Sequence, residues 1–371
     1  MVRLGAGGRP LAAGASRAER LAREDGWCGA MSLRVLLVGC GGISRRGHGP
    51  ALRRYAAAHL DVELAACADL DAGIAGLFAE RFGFRRSYGD LEEALRREQP
   101  DAIVLAVPAP LVAKVAIGLL ERGYPVLMEK PPGLSRTETL GIVRAASRED
   151  GSSVPNQVAF NRRFMPLSRR VREWSGARRR EGGLHHVQYD IYRVGRTDSE
   201  DASVTLIHGI DAIRYWAGSD YRTVRIAYRP LAHLGGNVVN VSLAGELEGG
   251  VTFALNYFPV SGAVMERAVL MSEDETLLAR LPFWTSGDSP GEAERYRGNE
   301  RIERWLGDED GAEDDIVNGF YAENASFLDH LRAGTRPEHD AASAVQSVEL
   351  AEAVLRRESR FGRREEGEEA R

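Results

Sequence analysis

The sequence predicts an α/β fold in two parts: an N-terminal doubly wound parallel sheet, then an α+β domain with a large, mostly antiparallel open sheet. Three observations carry this reading. Residues 33–153 alternate short apolar runs with segments of helical spacing. A glycine cluster closes the first of those runs. Beyond Val154 the runs lengthen, begin to alternate polar and apolar positions, and lose most of the intervening helices. At roughly 150 residues per domain, a chain of 371 residues also accommodates two.

Residues 1–32 lack the apolar stretch of a secretory leader and read as an unstructured extension, or as the product of an upstream start with Met31 as the true one. From Leu33 the order sharpens. LRVLLVG, HLDVELAACAD, DAIVLAVP and YPVLMEKPP are bounded by Gly, Asp or Pro and are too short for buried helices, so they read as buried parallel strands. Between them ALRRYAAA, DAGIAGLFAERFG, DLEEALRREQP and LVAKVAIGLLERG carry helical spacing, with acidic starts in the middle two and terminal glycines in the second and fourth. The second domain is expected over 154–357. There VPNQVAFNRRF, HHVQYDIYRV, TVRIAYRPL, NVVNVSLAGEL, GVTFALNYF and RAVLMS read as strands. The polar, acidic stretch Ser286–Asp315 reads as a solvated loop. Phe320–Leu331 and Ala341–Arg356 read as amphipathic helices, and 358–371 as a charged, frayed tail.

Composition excludes several classes of function. Lys+Arg total 49 and Asp+Glu 54, for a net charge of −5, which argues against a nucleic-acid partner. No apolar run approaches the ~18 residues of a membrane-spanning helix. Cys28, Cys40 and Cys67 form no CxxC pair and no metal-like cluster, which suits a reducing, cytoplasmic setting without metal. Only two of the 49 cations are lysines, Lys114 and Lys130. Arginine already supplies surface charge, whereas a lysine can give up its proton when its surroundings demand it. Lys114 lies on a helix with Glu121 two turns on and reads as a solvated residue. Lys130 is different.

Gly39-Cys40-Gly41-Gly42-Ile43-Ser44 spells G-x-G-x-x-S directly after the first strand. Gly39 allows a tight turn, Gly41 lets backbone approach a pyrophosphate, and Ser44 is small enough for helix–strand packing. The helix that follows offers unpaired N–H groups to phosphate. Asp69 ends the second strand, 28 residues after Gly41, and a carboxylate there accepts ribose hydroxyls and repels a 2′-phosphate. The cofactor expected is therefore NAD, with NADP disfavoured. Ligands of open α/β sheets bind outside the carboxyl ends of the strands, so Lys130, following Val126–Met128 in MEKPP, falls where the nicotinamide should lie.

With VGCGGIS, ACAD, AVP, MEKPP, VAFNRRFMP and HGIDAIRYWAG in place, the chain resembles the Gfo/Idh/MocA family of oxidoreductases over about Leu33 to Arg356. The resemblance implies a Rossmann domain followed by an open-sheet domain whose outer face joins a homodimer or homotetramer. It implies hydride exchange between NAD and a hydroxyl-bearing carbon of a sugar, cyclitol or related polyol. It implies a cofactor site that includes Val107, Pro108, Glu129 and Lys130 beside the glycine loop, with Lys130 also catalytic. The family's acid/base histidine carries onto His208 in TLIHGIDAIRYW, a residue type that titrates near working pH. Asp211, one turn on, is expected to orient His208 or cap its helix. Asn161, Arg162 and Arg163 are candidates for holding substrate, with one of the two guanidiniums facing inward if the segment is a strand. His185, His186 and His233 read as structural. Two departures stand out: Val204 occupies the position where the family often has an aspartate, with Asp201 the nearest upstream acid, and Ala109 and Val112 replace a common Asn and His. These leave two further readings, an NAD-binding regulator without turnover and a redox-cycling lyase or glycosidase.

Overall fold

The computed structural model describes residues 32–197, 202–284, 286–308 and 311–362. The N-terminal extension with Met31, the acid Asp201 and the tail beyond Gly362 lie outside the described residues.

Six parallel strands build the first unit: β1 (Leu33–Val38), β2 (Val62–Ala68), β3 (Arg86–Tyr88), β4 (Ala102–Leu105), β5 (Val126–Glu129) and β6 (Asn156–Ala159), in the order β3-β2-β1-β4-β5-β6. Val35, Leu36, Leu37, Ile103, Leu105, Val126 and Leu127 are fully buried, as both-face coverage by helices requires. The expected helices form at Gly49–Ala58, Ala72–Phe82, Leu91–Glu98 and Ala109–Glu121. Asp71 caps the second of these by accepting from the amides of Gly73 and Ile74, and Gly83 ends it at φ +82. The strand order reverses direction between β1 and β4, which puts a crevice at the carboxyl ends of those two strands.

Nine strands build the second unit: β7 (Leu184–Tyr192), β8 (Tyr221–Pro230), β9 (Val239–Leu247), β10 (Thr252–Phe258), β11 (Met265–Ser272), β12 (Thr276–Leu281), β13 (Glu292–Arg297), β14 (Glu300–Leu306) and β15 (Arg360–Gly362). Their order is β14-β13-β12-β11-β7-β10-β9-β8-β15. Only the β7–β10 pairing is parallel. Helix Ala202–Ala217 packs on this sheet, with Leu206, Ile207, Ile210, Ile213 and Trp216 fully buried.

Four expectations are corrected. VPNQVAF does not open the second domain. Its strand, β6, pairs in parallel with β5 and completes the first sheet. The first unit accordingly takes in Glu138–Ala159 and also Asn324–Ala342, so no single cut at residue 153 separates the units. The polar stretch after Ser286 is largely a hairpin, β13–β14, turning at Gly298 and Asn299, both at positive φ. Part of the tail is ordered too, since β15 pairs antiparallel with β8.

Candidate active site

In the first unit, the expected cofactor residues stand at the carboxyl ends of neighbouring strands. Gly39–Ser44 follow β1, Asp69 follows β2, Val107 and Pro108 follow β4, and Glu129 ends β5 with Lys130 next. Gly39 adopts φ +95, and a Cβ there would lie 2.3 Å from the Ala106 carbonyl oxygen, so only glycine fits. A Cβ at Gly41 or Gly42 would meet nothing within 4 Å. That open space over a loop of backbone amides is the cradle a pyrophosphate needs, so the residues present fit NAD. Ser44 Oγ donates to the Gly39 carbonyl at 2.5 Å and ties the loop shut. Asp69 is oriented by two amides: Cys40 N–H donates to Oδ2 at 2.8 Å and Asp71 N–H to Oδ1 at 3.0 Å. Cys40 and Cys67 are buried free thiols, and their mutual hydrogen bond together with burial pushes the Cys40 thiol far above its ordinary range, so it is inert.

The loop leads into one π-helical turn, Ser44–His48. It delivers His48, 1% exposed, to Glu129: Nε2 lies 3.1 Å from Oε1, while Nδ1 faces the Asn324 side chain. The other Glu129 oxygen accepts the Lys130 amide at 3.0 Å. Glu129 therefore grips the backbone of Lys130 from within the core, a role its place in MEKPP does not reveal. His48 is a functional candidate that sequence reasoning passed over, although a histidine closing the turn after a glycine loop is a visible signal.

In the second unit, Asn161–Phe164 form a 3₁₀ turn, so strand alternation does not separate Arg162 from Arg163. Both are buried, and each meets an acid. Arg163 pairs with Asp211 in a bidentate clasp of two 2.7 Å bonds, and Ser347 Oγ donates to the same carboxylate at 3.1 Å. Asp211 lies in the interior of helix Ala202–Ala217, as does His208, so it does not cap that helix, and both of its oxygens accept from Arg163. Its carboxylate is spent on Arg163. Arg162 pairs with Glu266 through Nε at 3.2 Å and Nη2 at 2.5 Å. Its Nη1 lies 3.1 and 3.2 Å from the two ring nitrogens of His208 and donates to Asn161 Oδ1 at 3.0 Å. A guanidinium offers only donors, so the arrangement suits a neutral imidazole that accepts.

Glu266, fully buried on β11, also accepts from Arg193 and Tyr189. Burial alone would raise its carboxyl; the two guanidiniums overcome that and hold it down at about 2. Burial likewise opposes the charge on Arg162, but Glu266 outweighs it and the guanidinium titrates above its ordinary value. The ring of Phe283 covers the cluster, 4.2 Å from Arg193 Cζ and 5.6 Å from Arg162 Cζ. Glu266 was missed because only its setting betrays it: an acid at an inward position of an apolar strand, MERAVLMS. Val204 lies one turn before His208 on their shared helix.

Residues 33–154 match the family model described as "Oxidoreductase family, NAD-binding Rossmann fold", that of Gfo/Idh/MocA. Over this domain the chain is similar to the Gfo/Idh/MocA oxidoreductases. Inositol 2-dehydrogenase of Corynebacterium glutamicum is 30% identical over an aligned stretch of 230 residues, with 59% of this chain and 65% of that protein covered. The chain thus matches just under two thirds of that relative's length. Among solved structures, a dehydrogenase from Chromobacterium violaceum superposes with TM-score 0.75 at 20% identity, over 88% of this chain and 95% of that one. GenD2 from gentamicin A biosynthesis, in complex with NAD, gives 0.72 at 22%, over 90% and 97%. Both neighbours share the fold described above. Among the described residues, no helix is long and apolar enough to cross a membrane, and no group of three His, Cys, Asp or Glu is placed to hold a metal.

Proposed function

We propose that the protein is an NAD-dependent oxidoreductase that exchanges hydride between the nicotinamide and a hydroxyl-bearing carbon of a sugar, cyclitol or related polyol. The observation that carries this reading is Lys130. It is one of two lysines in the chain, it follows β5 in the row of strand ends that holds the glycine loop and Asp69, and its backbone is gripped by Glu129. NAD supplies the hydride acceptor or donor when bound. Gly39, Gly41, Gly42, Ile43 and Ser44 hold its pyrophosphate, Asp69 its adenosine ribose, and Val107 and Pro108 line the path between. Lys130 polarises the reacting oxygen, and His208 takes up or returns the hydroxyl proton. Arg162 and Asn161 position His208. Arg163 and Asp211 brace the same turn and helix from within the unit. The family match and the inositol dehydrogenase relative support the substrate class. The outer face of the nine-stranded sheet is the surface we assign to a homodimer or homotetramer, and the two buried free thiols suit a reducing cytoplasm.

The test is to offer purified protein NAD with a panel of polyols and sugars while following the absorbance of reduced nicotinamide. Turnover on at least one cyclic polyol is expected. Lys130→Met should lower kcat about 100-fold or more while NAD still binds. Turnover undiminished in Lys130→Met, or no binding of NAD by the parent protein, would overturn the assignment.

A further inference from the structure

Trp284 takes no part in the chemistry assigned above, yet its conformation is unusual. It sits at φ +48, the left-handed region that a bulky side chain rarely occupies. Such a backbone persists only where its surroundings enforce it, and it concentrates at ligand clamps. The enforcement is visible. Trp284 N–H donates to Asn318 Oδ1 at 3.0 Å, and Asn318 in turn offers its carbonyl to Asn161 Nδ2 at 2.9 Å. The next residue, Gly319, is pressed so close that a Cβ would lie 2.3 Å from the Asn161 carbonyl oxygen. Asn161 is the residue that also accepts from Arg162, the neighbour of His208. Phe283, which precedes Trp284, covers Arg162 and Arg193. One knot of backbone and amide groups therefore fixes Trp284 in register with the arginine that meets His208.

The indole itself is only half-buried. One of its faces stacks on Phe320, with ring centres 5.3 Å apart and planes 22° from parallel, and Phe320 is 2% exposed. The surface that Trp284 leaves open thus belongs to the remaining face and edge. A rigid aromatic face backed by a second ring, tied through Asn318 and Asn161 to the arginine that meets His208, suits one kind of ligand surface. A pyranose or cyclitol ring has hydroxyls around its rim but presents an apolar face of C–H groups. That face loses water favourably against an indole, and its C–H edges meet the negative face of the π-system.

We infer that Trp284 is a specificity-determining wall of the substrate site, whose open indole face takes the C–H face of a cyclic sugar or cyclitol. The inference rests on the oxidoreductase reading and deepens it. An acyclic polyol has no such flat face and gains less from the contact.

The experiment compares the parent protein with Trp284→Ala and Trp284→Phe. Calorimetry measures binding of myo-inositol, glucose and the acyclic glucitol to the NAD-loaded full chain, and steady-state kinetics follow reduced nicotinamide. Trp284→Ala should raise Kd and KM for the cyclic ligands about tenfold, leave kcat nearly unchanged, and affect glucitol less. Trp284→Phe should recover most of the loss, because a ring is restored, and NAD affinity should be the same in all three. Cyclic-ligand affinity unchanged in Trp284→Ala, a Phe variant no better than the Ala variant, or a parent protein that binds no cyclic ligand would each overturn the inference. If the parent oxidises a cyclic polyol and Trp284→Ala does so equally well, the inference fails alone. If cyclic ligands bind through Trp284 without reduction of NAD, the inference stands and the redox reading falls.

Discussion

Glu266 shows how much a single buried residue can organise. Its carboxylate has no solvent and is shared by Arg162, Arg193 and Tyr189. Removing one partner of such a cluster leaves buried charge uncompensated, so Glu266→Gln should cost about 3–5 kcal/mol near neutral pH. The pH dependence has a definite sign. The folded carboxyl is held down at about 2, from an ordinary value of 4.5. Its stabilising contribution is therefore complete above about 4.5 and disappears as pH falls toward 2. Urea unfolding of parent and Glu266→Gln should show a gap that is widest at neutral pH and narrows through that window; a gap that widens on acidification would contradict the assignment. Legibility at this scale was uneven. Lys130 stood out because lysine is so scarce, and it follows directly on β5 at that strand's carboxyl end. The partners of Arg162 and Arg163 were invisible, because Glu266 and Asp211 lie 104 and 48 residues further along the chain, and nothing local encodes such pairings.

At the scale of elements, hydrophobic runs were read well and polar ones were not. β1, β2, β4 and β5 are apolar stretches ended by Gly, Asp, Pro or Glu, and their place in the sheet follows from burial on both faces. β13 and β14 were taken for loop because they are written in Arg and Glu. Across that hairpin Arg295 meets Glu303, Glu294 meets Arg301, and Glu292 meets Arg304, so the charges are the cross-strand pairs. The Gly-Asn turn was the usable signal. β3, three residues long, carries no pattern to read. The glycine loop yields a contrast between neighbours. Gly39→Ala forces a Cβ against backbone and a strained φ, so it should destabilise the fold by several kcal/mol in thermal or urea unfolding. Gly41→Ala has free space in the protein and should leave Tm unchanged, while weakening NAD binding about tenfold or more because its methyl enters the pyrophosphate cradle. Equal losses of stability in the two variants would show that Gly41 serves packing instead.

For the molecule as a whole, the chain does not finish one unit before it starts the other. It passes between them after Pro132, Thr137, Ala159, Glu323 and Ala342. Composition and length suggested two domains, and the two sheets are there, but the boundary drawn at residue 153 assumed that sequence neighbours stay together. β6 and Asn324–Ala342 break that assumption. Val158 N–H donates to the His339 carbonyl, and Asn156 Oδ1 accepts from Ala341 N–H, so the late segment is stitched to the sixth strand. A fragment ending at residue 153 should therefore fail to fold cooperatively. Far-UV circular dichroism and limited proteolysis would register this, and a protease-resistant, cooperatively melting 33–153 fragment would refute it.

The π turn at Ser44–His48 bears on how the length of this stretch can vary between related chains. A turn closed by i to i+5 bonds holds one residue more than an ordinary helical turn of the same rise. Loss of either Arg45 or Arg46 would let the segment relax to α geometry and so absorb the gap, whereas loss of a residue from an ordinary helical turn would rotate everything on one side of it by about 100° relative to the other. His48 could then keep its grip on Glu129 only if the loss fell where the turn itself absorbs it. Residue counts between the glycines and this histidine can therefore differ by one while the contact is retained, and an alignment that matches these positions by number alone would pair the wrong side chains.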